Sequence, residues 1–309
     1  MKVLVTGGAG FIGSQVTDSL IEKGYKVTVV DDLSTGKRTF INPKAKFYHL
    51  DIRDSRLKAV FSEERPDILC HYAAQASVQK SVEDPVHDAD INIFGTLILL
   101  KLALSHGAKK CIFASTAGAI YGEQEAFPAD ETHPARPISP YGAAKLAAES
   151  YLYYYHAVYG LDYIVLRYAS VYGPRQDSLA EAGMVATITE HMLGGKSPTV
   201  SGDGEQTRDF IFIDDAVAAN LAAIDFSGSD IFNIGTGIET SINQLFQHIA
   251  DLSGVRVEKT SVPAKKGEPR RSVISPEKAI KALHWQPKTS LPEGLRKTIE
   301  YFSSIRKET

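Results

Sequence analysis

Residues 6–13 read Thr-Gly-Gly-Ala-Gly-Phe-Ile-Gly and lie between an apolar run at residues 3–5 and an apolar stretch at helical spacing. Gly8, Gly10 and Gly13 have the spacing at which one glycine forms a tight turn, another lets a pyrophosphate approach and a third lets helix and strand pack closely. The N–H groups at the start of the following helix also favour a phosphate. The segment therefore predicts a strand, a turn and a helix that bind a dinucleotide, with contacts from Gly7, Gly10, Phe11, Ile12 and Gly13.

An acidic pair, Asp31-Asp32, ends the next apolar run, at residues 27–30. It lies near the spacing of about 20 residues after the glycine turn at which a carboxylate hydrogen-bonds the ribose hydroxyls of the adenosine. A carboxylate there also disfavours the 2′-phosphate of NADP. The pair therefore predicts NAD as the cofactor. Asp51 and Ile52, which follow the third apolar run, are candidates for covering the adenine.

Short apolar runs alternate with amphipathic stretches through the first half of the chain. The predicted strands are residues 3–5, 27–30, 47–50, 68–71, 112–114 and 163–166, and predicted helices include 11–23, 91–105 and 139–159. Strands that alternate with helices predict a parallel sheet covered on both faces. We therefore expect an α/β protein with a Rossmann-type doubly wound parallel sheet.

The pattern loosens after residue 173, where Gly and Pro cluster and the predicted strands are scattered. We expect residues 1–173 to form a cofactor-binding domain and residues 174–309 a smaller α/β substrate domain. Segments near 207–235, namely residues 209–213 and 231–234, are predicted to return to the main sheet.

Composition and charge limit the classes of partner. Among 309 residues, 34 Lys and Arg oppose 37 Asp and Glu, a net charge of −3 without a basic run, which argues against nucleic-acid binding. No window approaches the roughly 20 apolar residues that span a bilayer, and no signal-peptide pattern is present, so we expect a cytoplasmic protein. Cys70 and Cys111 lie in apolar runs, which indicates two buried thiols, and the histidines show no metal-ligand spacing.

Tyr141 and Lys145 are four residues apart in the predicted helix 139–159, so their side chains share one helix face. A nearby ammonium favours the phenolate and lowers the tyrosine pKa from about 10, which makes the tyrosine a usable base. The alternative is a pair exposed on the helix surface. Ser115 and Thr116 follow the fifth predicted strand, at the sheet edge where such folds bind ligands.

Eight motifs occur in order along nearly the whole chain: TGGAGFIG, DDLSTG, DIRD, HYAAQASVQKSVEDP, STAGAIYGE, SPYGAAK, LRYASVYGPRQ and GDGEQTRDFIFIDD. Together they resemble the extended short-chain dehydrogenase/reductase family of NAD-dependent epimerases and dehydratases, and within it the compact UDP-glucose 4-epimerases. The resemblance implies interconversion of UDP-glucose and UDP-galactose through a 4-keto intermediate, with NAD that stays bound.

The same resemblance implies roles for individual residues. Tyr141 is the expected base for the sugar 4-hydroxyl, Lys145 binds the nicotinamide ribose, and Thr116 orients the sugar oxygen, with Ser115 as a supporting or alternative hydroxyl. Ala73 and Asn92 are further cofactor-binding candidates. Dehydratases and decarboxylases of this family carry an acid directly after the catalytic hydroxyl, where this chain has Ala-Gly-Ala at 117–119, so epimerisation is favoured over elimination. A scaffold without catalysis is a further alternative, which the presence of Tyr141 and Lys145 disfavours.

The resemblance places the UDP-sugar against five residues: Ser170, Arg175, Arg208, Lys265 and Glu268. Ser170 stands where the family often has Asn, Lys265 replaces a usual Arg and Glu268 a usual Asp, so the identity of the UDP-sugar stays open. Ser272 matches a position where a bulky residue excludes N-acetylated sugars, which leaves UDP-N-acetylhexosamines as alternative substrates. UDP-glucuronate is disfavoured because its epimerases resemble GPRQR, whereas Asp177 follows GPRQ here. The aromatic residues at 151–155 indicate core packing or a subunit interface, and the family commonly forms homodimers.

Overall fold

The computed structural model describes residues 1–178, 183–263 and 269–307. The strands in these ranges are β1 (Lys2–Thr6), β2 (Lys26–Asp31), β3 (Lys46–His49), β4 (Ile68–His71), β5 (Lys110–Thr116), β6 (Asp162–Tyr168), β7 (Ser170–Tyr172), β8 (Thr199–Ser201), β9 (Thr207–Phe212), β10 (Asp230–Ile234), β11 (Glu239–Ser241) and β12 (Thr260–Val262). Seven of them form a parallel sheet in the order β3-β2-β1-β4-β5-β6-β10. The strand order reverses beside β1, where such sheets bind ligands at their carboxyl edge. The predicted doubly wound parallel sheet is confirmed.

Helices cover both faces of this sheet, so its strands are apolar on both sides. In the described residues the α-helices are α1 (Phe11–Glu22), α2 (Leu57–Glu64), α3 (Val78–Glu83), α4 (Pro85–Ala89), α5 (Thr96–Ser105), α6 (Ala117–Tyr121), α7 (Pro140–Tyr159), α8 (Met184–Leu193), α9 (Ile213–Asp225), α10 (Ile242–Ser253), α11 (Glu277–Leu283) and α12 (Leu291–Lys307). A 3₁₀ turn lies at Arg38–Phe40 and a π-helical turn at Asp90–Gly95.

Two smaller sheets lie outside the main one. β7 pairs in parallel with β9, which pairs antiparallel with β11, and β8 pairs with β12. The prediction that residues 209–213 return to the main sheet is therefore wrong, whereas residues 231–234 do lie in it, as β10. The reason is that β5 and β10 occupy both sides of β6. After the Ala169 N–H bonds to Ile234, the chain leaves the main sheet as β7, and β9 pairs with that strand instead.

The apolar core lies on both faces of the main sheet. One cluster includes Phe61 of α2, Leu99 of α5 and Leu152 of α7. A second cluster joins Val3 of β1 to Ile299 of α12, so both halves of the chain contribute to one core. The two cysteines, Cys70 and Cys111, are buried and free, as the apolar runs around them predict.

Residues typical of helix caps lie at both ends of α7. The Ser139 hydroxyl accepts the Gly142 N–H at 3.2 Å, and Pro140 occupies the first turn, where the missing N–H costs nothing. Gly160 ends the helix in the left-handed conformation, at φ 71°. The predicted helix at 139–159 is therefore present, with Ser139 as its cap.

The predicted helix at 91–105 is interrupted. Its first part is the π-helical turn Asp90–Gly95, and regular α-helix begins only at Thr96. A Cβ on Gly95 would lie 2.5 Å from Cδ1 of Ile52, so the turn packs against the segment after β3 through a residue without a side chain. A π-helical turn inserts an extra residue and often marks a functional site.

Candidate active site

The glycine turn after β1 has no room for side chains. Gly7 has φ 70°, and a Cβ there would lie 2.6 Å from the Ala73 nitrogen at the end of β4. A Cβ on Gly13 would lie 2.2 Å from the Gly7 carbonyl oxygen. The turn, the start of α1 and the segment after β4 therefore pack backbone against backbone, which is the cradle that a dinucleotide pyrophosphate requires.

The first turn of α1 is open at its N-terminus. No side chain in the described residues caps the helix at Gly10, which has extended backbone angles. The N–H groups of Phe11, Ile12 and Gly13 precede the first intrahelical donor of a regular helix. They can therefore bind an anion, and the helix dipole adds attraction. These contacts fit the pyrophosphate of NAD.

Asp31 is held in a fixed position at the carboxyl end of β2. Its Oδ2 accepts the Ala9 N–H at 2.9 Å and its Oδ1 accepts the Leu33 N–H at 2.8 Å. Burial raises the pKa of this carboxyl group, while the two N–H donors act in the opposite direction. Asp32 is more exposed, and its Oδ1 accepts the N–H and hydroxyl of Ser34. Of the two carboxylates, Asp31 is thus the one that is hydrogen-bonded to the glycine turn.

Asp51 and Ile52 border the π-helical turn. The Arg53 guanidinium donates through Nε to Asp51 at 2.9 Å and through Nη1 to Asp90. The hydrogen bonds from Arg53 lower the pKa of Asp51. Ile52 is buried, in contact with Gly95. Arg53 therefore fixes both acids, a link that the sequence pattern did not reveal.

The Lys145 amine lies under the carboxyl end of β5. It donates to the Ala114 carbonyl at 3.0 Å and lies 4.6 Å from the centre of the Phe113 ring. Its distance to the centre of the Tyr141 ring is 5.9 Å. The predicted pair is therefore not an exposed helix pair, because Lys145 is buried and Tyr141 half-buried on the face of α7 that meets the sheet.

Burial dominates the electrostatics of this pair. It lowers the pKa of Lys145 to about 8, although the carboxylates of Asp88 and Glu149 act to raise it. Burial raises the pKa of Tyr141 above its usual value, and Asp88 adds to the increase. The predicted lowering of the Tyr141 pKa is therefore wrong for the protein alone. The Lys145 amine donates to the Ala114 carbonyl and not to the phenol oxygen, so its stabilisation of the phenolate is weak. The loss of hydration on burial therefore determines the direction of the Tyr141 pKa shift.

Thr116 and Ser115 have different surroundings. The Thr116 hydroxyl caps α6, where it accepts the Ala119 N–H at 3.4 Å, and the backbone of α6 packs against Gly142 of α7. The Ser115 hydroxyl donates to Glu149 at 2.6 Å. Adjacent strand residues point to opposite faces, so the two hydroxyls do not share one environment. Thr116 belongs to the α6–α7 junction beside Tyr141.

A buried polar cluster behind the pair was missed by the sequence reasoning. One carboxylate oxygen of Asp88 accepts from Gln75 at 2.9 Å and from Asn92 at 3.0 Å. The Asn92 carbonyl in turn accepts from Thr96, which contacts His71 at 2.9 Å. Asn92, a cofactor candidate, thus lies on the π-helical turn within this cluster. Asp88, four residues before Asn92, was the signal available in the sequence.

Two of the candidate substrate-binding residues lie on neighbouring strands, and two lie outside the described residues. Arg208 on β9 donates to the carbonyls of Thr207 at 2.8 Å and Pro269 at 2.9 Å. Ser170 on β7 pairs with Phe210, two residues from Arg208, so the parallel pairing brings these candidates onto neighbouring strands. The segment at 264–268, which contains the candidates Lys265 and Glu268, lies outside the described residues.

Arg175 does not join that group. Its guanidinium donates to Asp18 at 2.8 Å and to Ser14 at 3.2 Å, both on α1, and lies 5.6 Å from the centre of the Phe40 ring. Arg175 therefore stays a predicted substrate contact, and in the described residues its guanidinium is held by α1. Its backbone is left-handed, with φ 68°.

Ser272 brings the second half of the chain to α6. It is buried, and a Cβ on Gly118 would lie 3.3 Å from its hydroxyl oxygen. Among the described residues, no group of three or more His, Cys, Asp or Glu side chains is arranged to hold a metal ion. Nor does any helix of those ranges combine the length and apolar character that crossing a membrane requires.

Comparison with known proteins identifies the family of the chain. Residues 3–235 match the model of the NAD dependent epimerase/dehydratase family. A UDP-glucose 4-epimerase of Mycolicibacterium smegmatis is 42% identical over 308 residues, 98% of each chain. The crystal structure of a Thermotoga maritima UDP-glucose 4-epimerase with UDP-glucose is 50% identical, with a TM-score of 0.97 over 99% of this chain and 100% of that one.

A second solved structure carries the cofactor. The UDP-glucose 4-epimerase of Thermus thermophilus, solved in complex with NAD, is 44% identical, with a TM-score of 0.94 over 98% of this chain and 99% of that one. The family match covers well over half of the chain, and the glycine turn, Asp31 and the Tyr141–Lys145 pair lie within it. The chain therefore belongs to the NAD dependent epimerase/dehydratase family.

Proposed function

We propose that the protein is a UDP-glucose 4-epimerase, which interconverts UDP-glucose and UDP-galactose. The observation that supports this most directly is the close contact between α7, which carries Tyr141 and Lys145, and α6, which Thr116 caps: a Cβ on Gly142 would lie 2.3 Å from the Ala119 carbonyl oxygen. Relatives of this name match nearly the full length of the chain. In this proposal the buried Lys145 and the open start of α1 both contact the bound NAD.

Tyr141 is the group that accepts the proton of the sugar 4-hydroxyl, and Thr116 donates to or accepts from the same oxygen. Bound NAD supplies the hydride acceptor and later the hydride donor for carbon 4, together with a positive charge. Lys145 binds the nicotinamide ribose and holds a positive charge at pH values below about 8. Positive charge beside a buried phenol lowers its pKa, which opposes the increase caused by burial.

The second half of the chain holds the nucleotide sugar. Residues 174–309 form this part in our proposal and residues 1–173 the NAD-binding part. Arg208 binds the diphosphate, because a planar guanidinium gives two parallel hydrogen bonds to phosphate oxygens. Ser170 on the neighbouring strand adds a hydroxyl donor, and Lys265 and Glu268 complete the site by their resemblance to the family motif.

Elimination chemistry has less support. A sugar-nucleotide dehydratase needs an acid beside the catalytic hydroxyl, and α6 offers Ala117, Gly118 and Ala119 after Thr116. The first acid after α6 is Glu123, whose carboxylate accepts the Arg270 N–H. Hydride transfer in both directions at one carbon requires no such group.

A second candidate function is epimerisation of UDP-N-acetylglucosamine. It is favoured by Ser272, whose small side chain lies at Gly118 beside the catalytic Thr116. A large residue at this position would fill the space that an N-acetyl group needs. The candidate differs from the first in the sugar accepted and not in the mechanism.

One assay distinguishes these functions. The purified protein is incubated without added NAD and separately with UDP-glucose, UDP-N-acetylglucosamine and UDP-glucuronate, and the products are assigned by NMR. We expect UDP-galactose from UDP-glucose, with unchanged mass. A product lighter by one water identifies a dehydratase, and absence of any conversion while NAD is bound identifies a scaffold without catalysis.

We expect a homodimer in the cytoplasm, and exposed aromatic side chains of α7 support the dimer. It carries Tyr151, Tyr153, Tyr154 and Tyr159, and Phe94 of the π-helical turn is exposed as well. An aromatic surface of this kind is typical of a subunit interface. Sedimentation analysis is expected to give a dimer, and Tyr154→Glu, which introduces a charge into this surface, is expected to give a monomer.

A further inference from the structure

A buried ion pair lies beneath the catalytic residues. The Arg167 guanidinium on β6 donates through Nε to Oε1 of Glu149 at 3.0 Å and through Nη2 to Oε2 at 2.6 Å. The side chains are only 6% and 3% exposed. Glu149 follows Lys145 by one turn of α7, so the pair attaches the catalytic helix to the main sheet.

The same pair holds both ends of the segment that carries Thr116. At one end, the Ser115 hydroxyl donates to Oε1 of Glu149 at 2.6 Å. At the other end, Arg167 donates through its remaining nitrogen, Nη1, to the Tyr121 hydroxyl at 3.0 Å. Tyr121 is the last residue of α6, which Thr116 caps. Every polar atom of the pair is thus directed at α7, β6 or residues 115–121.

The ion pair serves to position residues 115–121 rather than to stabilise the fold. A buried ion pair loses hydration energy, and well-packed apolar side chains often stabilise a core equally well. Apolar side chains would not fix Ser115 and Tyr121 by directional hydrogen bonds, whereas Oε1 of Glu149 and Nη1 of Arg167 each form one. The mutual position of α6 and α7 therefore depends on this pair.

We propose that Glu149 and Arg167 are positioning residues of the epimerase, which hold the Thr116 hydroxyl in register with Tyr141 and Lys145. The proposal rests on the epimerase function proposed above. It assigns neither residue a contact with substrate or cofactor. A catalytic group displaced by about 1 Å can lose a factor of about 100 in rate, so such positioning is needed for catalysis.

The pair also contributes a charge close to Lys145. Four titratable groups face the Lys145 amine: Glu149 and Tyr141 on α7, Asp88 on α4 and His71 on β4. The carboxylates of Asp88 and Glu149 both raise the pKa of Lys145, and His71 is neutral. Removal of the Glu149 charge therefore lowers the pKa of Lys145 further.

The test uses Glu149→Gln in the full-length protein, with kcat and KM measured between pH 6 and pH 10. We expect kcat to fall by a factor of about 10 to 100 with KM changed less than about threefold. The decline of kcat at high pH is expected to begin at a lower pH, by about half a unit or more. Unchanged kcat and an unchanged pH profile would overturn the proposal, whatever the melting temperature.

Two further variants separate position from charge. Ser115→Ala with Tyr121→Phe leaves the ion pair but disconnects it from residues 115–121. We expect kcat to fall while the high-pH decline stays where it is in the wild type. Arg167→Lys keeps the charge and loses the fork, so a fall in kcat is expected there too. Wild-type kcat in both variants would contradict the positioning role, even if Glu149→Gln failed to fold.

The matched control is Asp215→Asn. Asp215 is also a buried carboxylate, but it accepts the N–H groups of Lys288 at 3.0 Å and Thr289 at 2.9 Å in the second half of the chain. This variant is expected to lower the melting temperature without changing the pH profile. The wild type is assayed first, and no conversion of any UDP-sugar refutes the proposed function. If the wild type is active and the variants have its kcat and pH profile, only the positioning role is refuted.

Discussion

Gly142 in α7 lies so close to Ala119 in α6 that a Cβ atom on Gly142 would be 2.3 Å from the Ala119 carbonyl oxygen. The helix that carries Tyr141 and the helix that Thr116 caps therefore meet backbone against backbone. Any side chain at residue 142 must separate them. Their contact is thus a geometric condition for placing the phenol and the hydroxyl around one sugar oxygen.

Gly142→Ala tests this condition. We expect kcat for UDP-galactose formation to fall by a factor of about 100 and the free energy of unfolding to fall by about 1–3 kcal/mol, because the added methyl group overpacks the junction. The measurements are steady-state kinetics and urea unfolding. The matched control is Ala143→Gly at the next, exposed position, which costs about 1 kcal/mol of helix propensity and leaves kcat unchanged. Equal kcat in the two variants would argue against the close contact.

Tyr141→Phe removes the proposed base and keeps the ring. Loss of a positioned general base lowers a rate by a factor of about 100 to 10,000, and we expect kcat to fall within this range. The melting temperature and the content of bound NAD are expected to stay at wild-type values. A variant that retains wild-type kcat would exclude Tyr141 as the group that accepts the proton.

Asp31→Asn tests the preference for NAD. The amide can replace only one of the two carboxylate oxygens that accept the Ala9 and Leu33 N–H groups. We expect the dissociation constant for NAD to rise by about tenfold, the equivalent of one charge-assisted hydrogen bond, and the discrimination against NADP to decrease. Both are measured by calorimetry on protein freed of bound cofactor.

Asp32→Asn is the comparison variant for this experiment. Asp32 is exposed, and its carboxylate is bound to Ser34 in the loop after β2. We expect the dissociation constant for NAD to change less than about threefold. An effect as large as that of Asp31→Asn would show that the second carboxylate, and not the buried one, recognises the ribose.

The burial of His71 predicts that the free energy of unfolding falls in acid. Burial lowers its pKa to about 3, with a further contribution from Lys145. Since the unfolded chain takes up a proton near pH 6.5 and the native protein does not, the free energy of unfolding falls as the pH decreases from about 6.5 to about 3. The loss from this one group is at most about 5 kcal/mol.

Urea unfolding at pH 7 and pH 4.5 measures that loss. His71→Gln, which has no charge in either state, is expected to lose less stability between the two pH values than the wild type does. The control is His87→Gln, because His87 is exposed on α4. Equal losses in the wild type and His71→Gln would refute the contribution of His71.

The fold could be predicted well because its signals are local. The glycine turn, the apolar runs that became β1 to β6 and the cap of α7 at Ser139 each depend on a few neighbouring residues. The path of β9 could not be predicted, because it depends on which side of β6 is free, a property of the assembled sheet. The π-helical turn was missed because its apolar pattern resembles that of an α-helix.

For the candidate site, too, local features could be predicted and long-range ones could not. Tyr141 and Lys145 could be predicted as a pair because they share one helix face, and Asp31 could be predicted as a ligand because it ends a strand. The position of Arg175 and the directions of the Ser115 and Thr116 hydroxyls depend on residues far away in the chain, at Asp18, Glu149 and α7. The sign of the Tyr141 pKa shift was missed because burial cannot be read from the spacing of two residues.

The branch at Ala169 has a consequence for motion. One residue separates β6 of the main sheet from β7, which begins the sheet that carries Arg208, and its N–H is bonded to Ile234. Rotation of one half of the protein against the other would have to break this bond and shear an apolar core that both halves share. The junction therefore opposes a hinge motion between the two halves, and we expect sugars of different size to be accommodated by loops and side-chain rotamers rather than by a domain closure.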